Sequence, residues 1–251
     1  MNRIIVNPFS DALIAVDVQP TFMPGGGLPV ADGHKITPVV RGLMSGWPNL
    51  RLRFATQDWH PLGHISLASS YVGLALYSLL TETTVAGWTD AAHLIAPSAR
   101  FTLAELKNYL AQVKQQVLWP NHGLEGMAEA ELHPDFMRSE FAYILKKGTD
   151  PACDSYGAFE DNLMRPTGFS DVLRQAGVKR CFFWGLALDY CVRYSAEGAV
   201  RNGFGAYVIE DATRAVTPGG AVETALEFIQ LGIQLVDSDE LELNILLQAG
   251  G

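Results

Sequence analysis

Apolar residues fall along the chain in short runs with two different periods. Ala12-Leu13-Ile14-Ala15-Val16 is uninterrupted, as in a strand buried on both faces. Residues 50–56 alternate and predict a second strand. Residues 141–145, 181–184, 206–209 and 233–236 predict four more. Helical patterns lie between them. Ser170 is placed to cap a helix that runs through Ala176 and stops at Gly177. Asp189 is placed to cap a helix over 190–202 that stops at Gly203, and a third helix over 221–231 stops at Gly232. Regular strand–helix alternation predicts an α/β fold of three αβα layers around a mostly parallel sheet of about six strands. In such sheets sites form beyond the carboxyl ends of the strands, so the residues just after each strand carry the functional question.

One stretch breaks the alternation. Residues 65–118 show no clear sheet strand, and 103–117 has the period of an amphipathic helix. The expected organisation is one domain over 1–251 with a helical insertion at 65–118, since so short a segment has difficulty forming a core alone. Residues 72–80 are too apolar to be left in water. They are expected to pack near the pocket mouth or against a second subunit, under the 103–117 helix.

Composition removes several function classes. The chain has 251 residues, 48% hydrophobic and only 18% charged, which excludes a disordered chain. A net charge of −9 argues against a nucleic-acid surface. No apolar run is long enough to span a membrane, and residues 1–7 lack a signal-peptide pattern. A cytoplasmic protein with a small-molecule partner is expected, with homo-oligomerisation left open. Cys153, Cys181 and Cys191 are odd in number and suit neither a zinc ribbon nor a disulfide framework, so each is expected as a free thiol.

The strand ends hold a set of reactive groups. Asp17 follows the first strand, in a place that suits either a turn or proton transfer. Asp58, His60 and His64 follow the second within seven residues, and their donor atoms suit Zn²⁺, Fe²⁺ or Mn²⁺. Asp58 and His60 share a side of an extended chain, and a turn through Pro61 and Gly63 can return His64. His122 lies in the similar loop Trp119-Pro120-Asn121-His122-Gly123, whereas His34, His93 and His133 read as surface or structural. Lys146 and Lys147 end the third strand, and alternation lets only one face a site. Cys191 falls in the first turn of the helix that Asp189 is placed to cap. There the helix dipole favours a thiolate, and free N–H groups can hold an oxyanion. Cys181 sits inside a strand and reads as core; Cys153 lies in a loop without activating neighbours. One Asp, one Lys and one Cys from three strand ends supply a base, a cation and a nucleophile.

These segments resemble the nicotinamidase (pyrazinamidase) family of the isochorismatase-like cysteine hydrolase superfamily. The densest match is Gly185-Leu186-Ala187-Leu188-Asp189-Tyr190-Cys191-Val192, continuing to Gly203, with further matches at 12–22, 55–64, 119–122 and 145–159. The resemblance implies an Asp17-Lys147-Cys191 triad, with Lys147 preferred because the family motif puts Gly directly after the catalytic Lys. It implies one divalent metal ion (Zn, Fe or Mn) on Asp58, His60 and His122, with His64 as a fourth ligand. It implies a cis peptide at Leu186-Ala187, an oxyanion hole from the N–H groups of Ala187 and Cys191, and ring contacts from Phe22, Trp119 and Tyr156. The implied activity is hydrolysis of nicotinamide to nicotinate and ammonia through a Cys thioester, in NAD salvage, with pyrazinamide as a further substrate. The alternatives are another cysteine amidase of the superfamily and a non-catalytic metal-binding protein. Two positions depart from the family pattern: Thr21 stands where an Asp is usual, and Gly123 where a Cys follows the metal-binding His.

Overall fold

The computed structural model describes residues 3–47, 50–92 and 94–244; His93 lies outside the described residues. In chain order the elements are β1 (Ile4–Val6), β2 (Asp11–Val16), α1 (Ile36–Gly46), β3 (Arg53–Asp58), β4 (Leu79–Thr81), α2 (Glu82–Val85), α3 (Leu103–Val113) and β5 (Gln115–Val117). They continue with β6 (Tyr143–Lys147), α4 (Phe169–Gln175), β7 (Arg180–Leu186), α5 (Arg193–Arg201), β8 (Gly205–Arg214), α6 (Pro218–Leu231), β9 (Gln234–Val236) and β10 (Leu241–Leu243). A six-stranded sheet in the order β6-β3-β2-β7-β8-β9 forms the centre, and every pair in it is parallel. This is the αβα sheet that the strand–helix alternation predicts.

The alternation of side chains along each strand builds two cores. Leu13 and Ala15 of β2, with Phe182 and Trp184 of β7, face one side and pack with Ile36, Val40 and Met44 of α1. Ala12, Ile14 and Val16, with Cys181 and Phe183, face the other side. They meet Phe169 and Leu173 of α4, Ala196 and Ala199 of α5 and Phe228 of α6. Cys181 is thus core, as its place inside a strand predicts. Cys181→Ala removes one buried heavy atom and is expected to cost about 1 kcal/mol, near the cost of deleting a buried methyl group. Chemical denaturation of the variant checks this.

The element ends differ from the sequence expectation in ways that have local causes. The helix over 169–175 is preceded by Gly168 in the left-handed region, so Ser170 lies inside it and is not its cap. The turn after β7 begins at Ala187, and Leu188–Val192 form a single wide π-helical turn leading into α5. Asp189 is therefore inside that turn. Its carboxylate accepts the N–H groups of Val216 and Thr217 at 2.8 and 3.2 Å, fastening the helix start to the chain ahead of α6. The β1–β10 pair was not predicted from the pattern, because three-residue strands carry too little periodicity.

The 65–118 segment also contains a strand pair that its pattern did not announce, β4 with antiparallel β5. The helix expected over 103–117 stops at Val113, and Lys114 takes a positive φ that turns the chain into β5. Thr102 and Glu105 form a reciprocal capping box at its start. Leu106, Tyr109 and Leu110 of α3 cover Leu80, and this small core takes in Ile65, Leu118 and Cys153 from the surrounding chain. Only part of the apolar run 72–80 is covered in this way: Val72, Leu76, Tyr77 and Leu79 are exposed.

Candidate active site

Register explains how distant residues meet. In the parallel pairing of β3 with β6, Asp58 lies opposite Lys147. β2 lies between β3 and β7, so Asp17, directly after β2, reaches the same place. The turn after β7 brings Ala187 and Cys191. Lys147 and Asp17 are buried, and the Lys147 ammonium is 2.9 Å from Asp17 Oδ2 and 3.4 Å from Cys191 Sγ. It also donates to Asp58 Oδ1 and, at 2.9 Å, to the Ser155 carbonyl. Lys146, its neighbour, points the other way and lies over the Trp59 ring. Asp17, Asp58 and Cys191 approach closely enough to hold a cation, and the contacts just given identify that cation as the Lys147 ammonium.

Charge in this pocket is set by burial and by its close neighbours. Burial pushes the Asp17 carboxyl up to about 6, against Lys147 and the Thr56 hydroxyl, which donates to Oδ1 at 2.6 Å. Burial alone pulls Lys147 down, but Asp17 and Asp58 outweigh it and hold the ammonium well above its ordinary value. Burial pushes the Cys191 thiol well above its ordinary value; Lys147 opposes this, while Asp17 and Asp58 add to it. The thiolate expected from the helix dipole is therefore not the resting form. Complete desolvation and two nearby carboxylates outweigh the partial charge of one helix end. The peptide bond Leu186-Ala187 is cis, at the position the resemblance implies.

Asp58 joins two clusters. Its Oδ1 faces Lys147, and its Oδ2 lies 3.8 Å from His60 Nε2 and 3.7 Å from His122 Nε2. Burial acts to raise the Asp58 carboxyl, but the opposing influences, the Lys147 ammonium foremost among them, hold it below its ordinary value. His60 Nδ1 is 3.0 Å from the Gly148 carbonyl and His122 Nδ1 is 2.8 Å from the Pro120 carbonyl. A carbonyl only accepts, so both Nδ1 atoms carry the proton and both Nε2 lone pairs face Asp58. Burial lowers His60 to about 4, which keeps its imidazole neutral. One atom from each of Asp58, His60 and His122 lies within 4.8 Å of the others. Ligands on a tetrahedral zinc-like ion stand about 3.4 Å apart, so this donor set fits a divalent cation after a small contraction.

His64 is placed differently. The Ser66 N–H donates to its Nδ1 at 3.3 Å, so Nε2 carries the proton and donates to the Cys153 carbonyl at 3.2 Å. Its ring lies against that of His60, with centroids 4.4 Å apart. The ligand-like group that contains it is completed by His60 and Asp154, not by Asp58 and His122. Burial lowers His64 to about 3.

Two glycines are required by these close approaches. Gly148 has φ +66°, and a Cβ there would lie 2.3 Å from His60 Cε1. Glycine after Lys147 thus lets the imidazole reach Asp58. Gly123 has φ +53°, and a Cβ would lie 2.9 Å from Asp58 Cβ. Its N–H donates to Thr21 Oγ1 at 3.2 Å. The two departures from the family pattern are therefore in contact, and together they tie the His122 loop to the chain after β2.

The groups surround one cavity. Phe22, Trp119 and Tyr156 line it, as do Ala187, Cys191, Asp58, His60 and His122. Trp119 donates its indole N–H to the Tyr156 hydroxyl at 3.1 Å, and the Phe22 ring meets His122 edge-on at 5.7 Å. Sequence reasoning missed Tyr190, Asp154 and Tyr77, which also line the cavity. Tyr190 sits one residue before Cys191, and Asp154 two before Tyr156, so adjacency was an available signal. For Tyr77 the signal was the apolar run 72–80, expected near the pocket mouth, although the run did not say which of its residues would reach the cavity. His34 is exposed, and His133 lies beside Asp135 at the surface. No helix of the described residues is long and apolar enough to cross a membrane.

The isochorismatase domain model matches residues 83–240. A nicotinamidase of Acinetobacter baylyi is 32% identical, with 90% of this chain and 92% of that protein covered. Among solved structures, PnC1 from L. infantum in complex with nicotinate is 28% identical; 96% of this chain and all of that chain are covered, with a TM-score of 0.73. The pyrazinamidase of Pyrococcus horikoshii in complex with zinc is 29% identical, covering 91% of this chain and 99% of that one, with a TM-score of 0.64. A domain match over more than half the length, a relative this similar across nine-tenths of the chain and the cysteine at the β7 turn lead to one conclusion: this chain belongs to the isochorismatase-domain family.

Proposed function

We propose that the protein hydrolyses nicotinamide to nicotinate and ammonia, with Asp17, Lys147 and Cys191 as catalytic residues. The observation that carries this reading is the contact of one ammonium with Asp17, Asp58 and Cys191 at the wall of an aromatic-lined cavity. The relatives named above, one bound to nicotinate, support the substrate class. A non-catalytic metal-binding protein has no need of a buried thiol beside a buried base. Another small amide is disfavoured by the imidazole pair, which other amidases of the superfamily do not need as a ring anchor.

The chemistry follows from the charges. At neutral pH Asp17 is ionised and Cys191 protonated. Asp17 Oδ2 takes the thiol proton as Sγ attacks the carboxamide carbon, while Lys147 holds the developing thiolate. The carbonyl oxygen becomes an oxyanion, held by the N–H groups of Ala187 and Cys191. Asp17 returns the proton to the leaving nitrogen, the C–N bond breaks, and ammonia departs from a thioester. Asp17 then takes a proton from water as its oxygen attacks the thioester. The C–S bond then breaks, and Asp17 returns that proton to the departing Sγ, which restores the thiol and its own carboxylate. The product leaves as nicotinate, with its acid proton passing to water.

Asp58, His60 and His122 would hold a divalent cation such as zinc, iron or manganese; His64 supports His60 by ring contact. When bound, that cation supplies a Lewis-acidic anchor for the pyridine nitrogen. Phe22, Trp119 and Tyr156 contact the ring and orient it toward Cys191. The proposed organisation is one domain over 1–251 with 65–118 inserted, supported by the core shared between Leu106, Leu118 and Cys153. The proposed setting is the cytoplasm, where Cys153, Cys181 and Cys191 persist as unpaired thiols.

An ammonia assay across nicotinamide, pyrazinamide and aliphatic amides tests the reading; release from aliphatic amides alone overturns it. The pH profile adds a sharper test. Because burial raises Asp17 to about 6 and the base must be ionised, kcat/KM is expected to be flat near pH 7. It should fall about tenfold per pH unit below the Asp17 value. A profile flat down to pH 4.5 would remove Asp17 from the role of base.

A further inference from the structure

The 65–118 segment places one side chain at the mouth of the cavity. Tyr77 lines it beside Leu28, Val30 and Val216 and is 56% exposed, so the side chain borders the cavity and also meets solvent. Its ring meets Trp119 edge-on, with centroids 6.1 Å apart and planes at 87°. Its backbone has φ +63°, a conformation that costs a bulky L-residue free energy and that glycine adopts freely. The chain is held in that conformation on both sides of Trp119's neighbour. The Tyr77 N–H donates to the Leu118 carbonyl at 2.7 Å, and the Leu118 N–H donates to the Ser78 carbonyl at 2.9 Å. An aromatic side chain kept in an unfavourable backbone state at a cavity rim is a feature that the surrounding structure maintains.

Resting on the activity proposed above, we infer that Tyr77 determines substrate size, by excluding nicotinamides with a substituent at ring carbon 5. The argument is geometric. The ring nitrogen is directed to the His60–His122 side, and the carboxamide on carbon 3 to Cys191. Two anchors fix one edge of the ring. The opposite edge, centred on carbon 5, is left to face the rest of the lining, which is apolar at Leu28, Val30 and Val216 and includes Tyr77 at the mouth. A methyl group pressed against a fixed ring in an apolar pocket changes discrimination by about 10- to 200-fold.

The test compares kcat/KM for 5-methylnicotinamide and 5-ethylnicotinamide with that for nicotinamide, by ammonia release. The wild type, Tyr77→Gly and Tyr77→Phe are measured. Glycine keeps the positive φ at no steric cost while removing the ring, and Tyr77→Ala is measured beside it as an independent truncation. The expected result is a rise in the ratio of 5-alkyl substrate to nicotinamide of at least about tenfold in both truncations. Tyr77→Phe should keep the wild-type ratio. A merely structural role would lower all substrates together and leave the ratio unmoved. Ratios within twofold of wild type in both truncations, with nicotinamide still hydrolysed, overturn the Tyr77 inference alone. Absence of ammonia from nicotinamide with the wild-type protein overturns the activity reading and this inference with it.

Discussion

Cys191→Ala is expected to lower kcat/KM for nicotinamide by a factor on the order of 10³ or more, a loss typical of removing a nucleophile that acts as part of a unit. The fold should persist, because the side chain lost is small and alanine is compatible with the turn after β7. Metal content should stay near that of the wild type, since Cys191 is not in the group formed by Asp58, His60 and His122. Ammonia release, circular dichroism and metal analysis on one preparation check all three. Cys153→Ala is expected to keep turnover: burial pushes the Cys153 thiol up to about 12, and its Sγ is directed to the Asp154 carbonyl rather than to the cavity. Wild-type turnover in Cys191→Ala would falsify the thioester mechanism. Alkylation carries a related expectation. With the Cys191 thiol raised by burial, labelling by iodoacetamide should be slow near pH 7. It should depend on Asp17 as base rather than on a standing thiolate.

Removal of the metal is expected to raise KM for nicotinamide by at least about tenfold, equivalent to about 1.4 kcal/mol of binding, while affecting kcat less. That division follows from the geometry: the His60 and His122 Nε2 atoms converge beyond Asp58 Oδ2, whereas the thiol contacts Lys147. Benzamide, which lacks the ring nitrogen, should be a poor substrate with or without metal. Comparable hydrolysis of benzamide and nicotinamide would end the anchoring role. His60→Ala and His122→Ala are expected to lose metal outright. His64→Ala should retain metal with an affinity lower by about 10- to 100-fold, the effect of removing a group that supports a ligand. His64 has both ring nitrogens engaged, with Ser66 and with the Cys153 carbonyl. Loss of all metal from His64→Ala would instead make it a direct ligand. Calorimetric titration with zinc distinguishes these outcomes without reference to activity.

Both predictions involve Asp58, and its double role was not legible in the sequence. The spacing of Asp58 and His60 pointed to metal chemistry. Asp58 also contacts Lys147, 89 positions away in the chain. That contact depends on β3 pairing with β6 in a particular parallel register, and parallel partners are separated by long crossovers that carry no local signal. The same limit applied to the cysteine. Helix position predicted a thiolate, and the outcome was decided by burial and by two carboxylates brought in on other strands. The 65–118 segment was the least legible part. Its apolar run was expected near the pocket mouth or against a second subunit; Tyr77 does border the cavity, whereas Val72, Leu76 and Leu79 stay exposed and the run ends in β4, paired with β5.

The sequence alone determined the strand–helix alternation and hence the parallel sheet, because side-chain periods of two and about four are imposed by local backbone geometry. It also determined which reactive groups stand at strand ends and which glycine follows Lys147, since these are matters of adjacency along the chain. Tertiary structure alone decided strand order and register, and through them that one ammonium meets Asp17, Asp58 and Cys191. It alone decided the protonation states, because desolvation and Coulomb energy depend on distance in space, not on separation in the chain. It also decided that His64 faces Ser66 and Cys153 while His60 and His122 face Asp58: one hydrogen bond to each imidazole fixes its tautomer, and each partner comes from wherever the folded backbone places it.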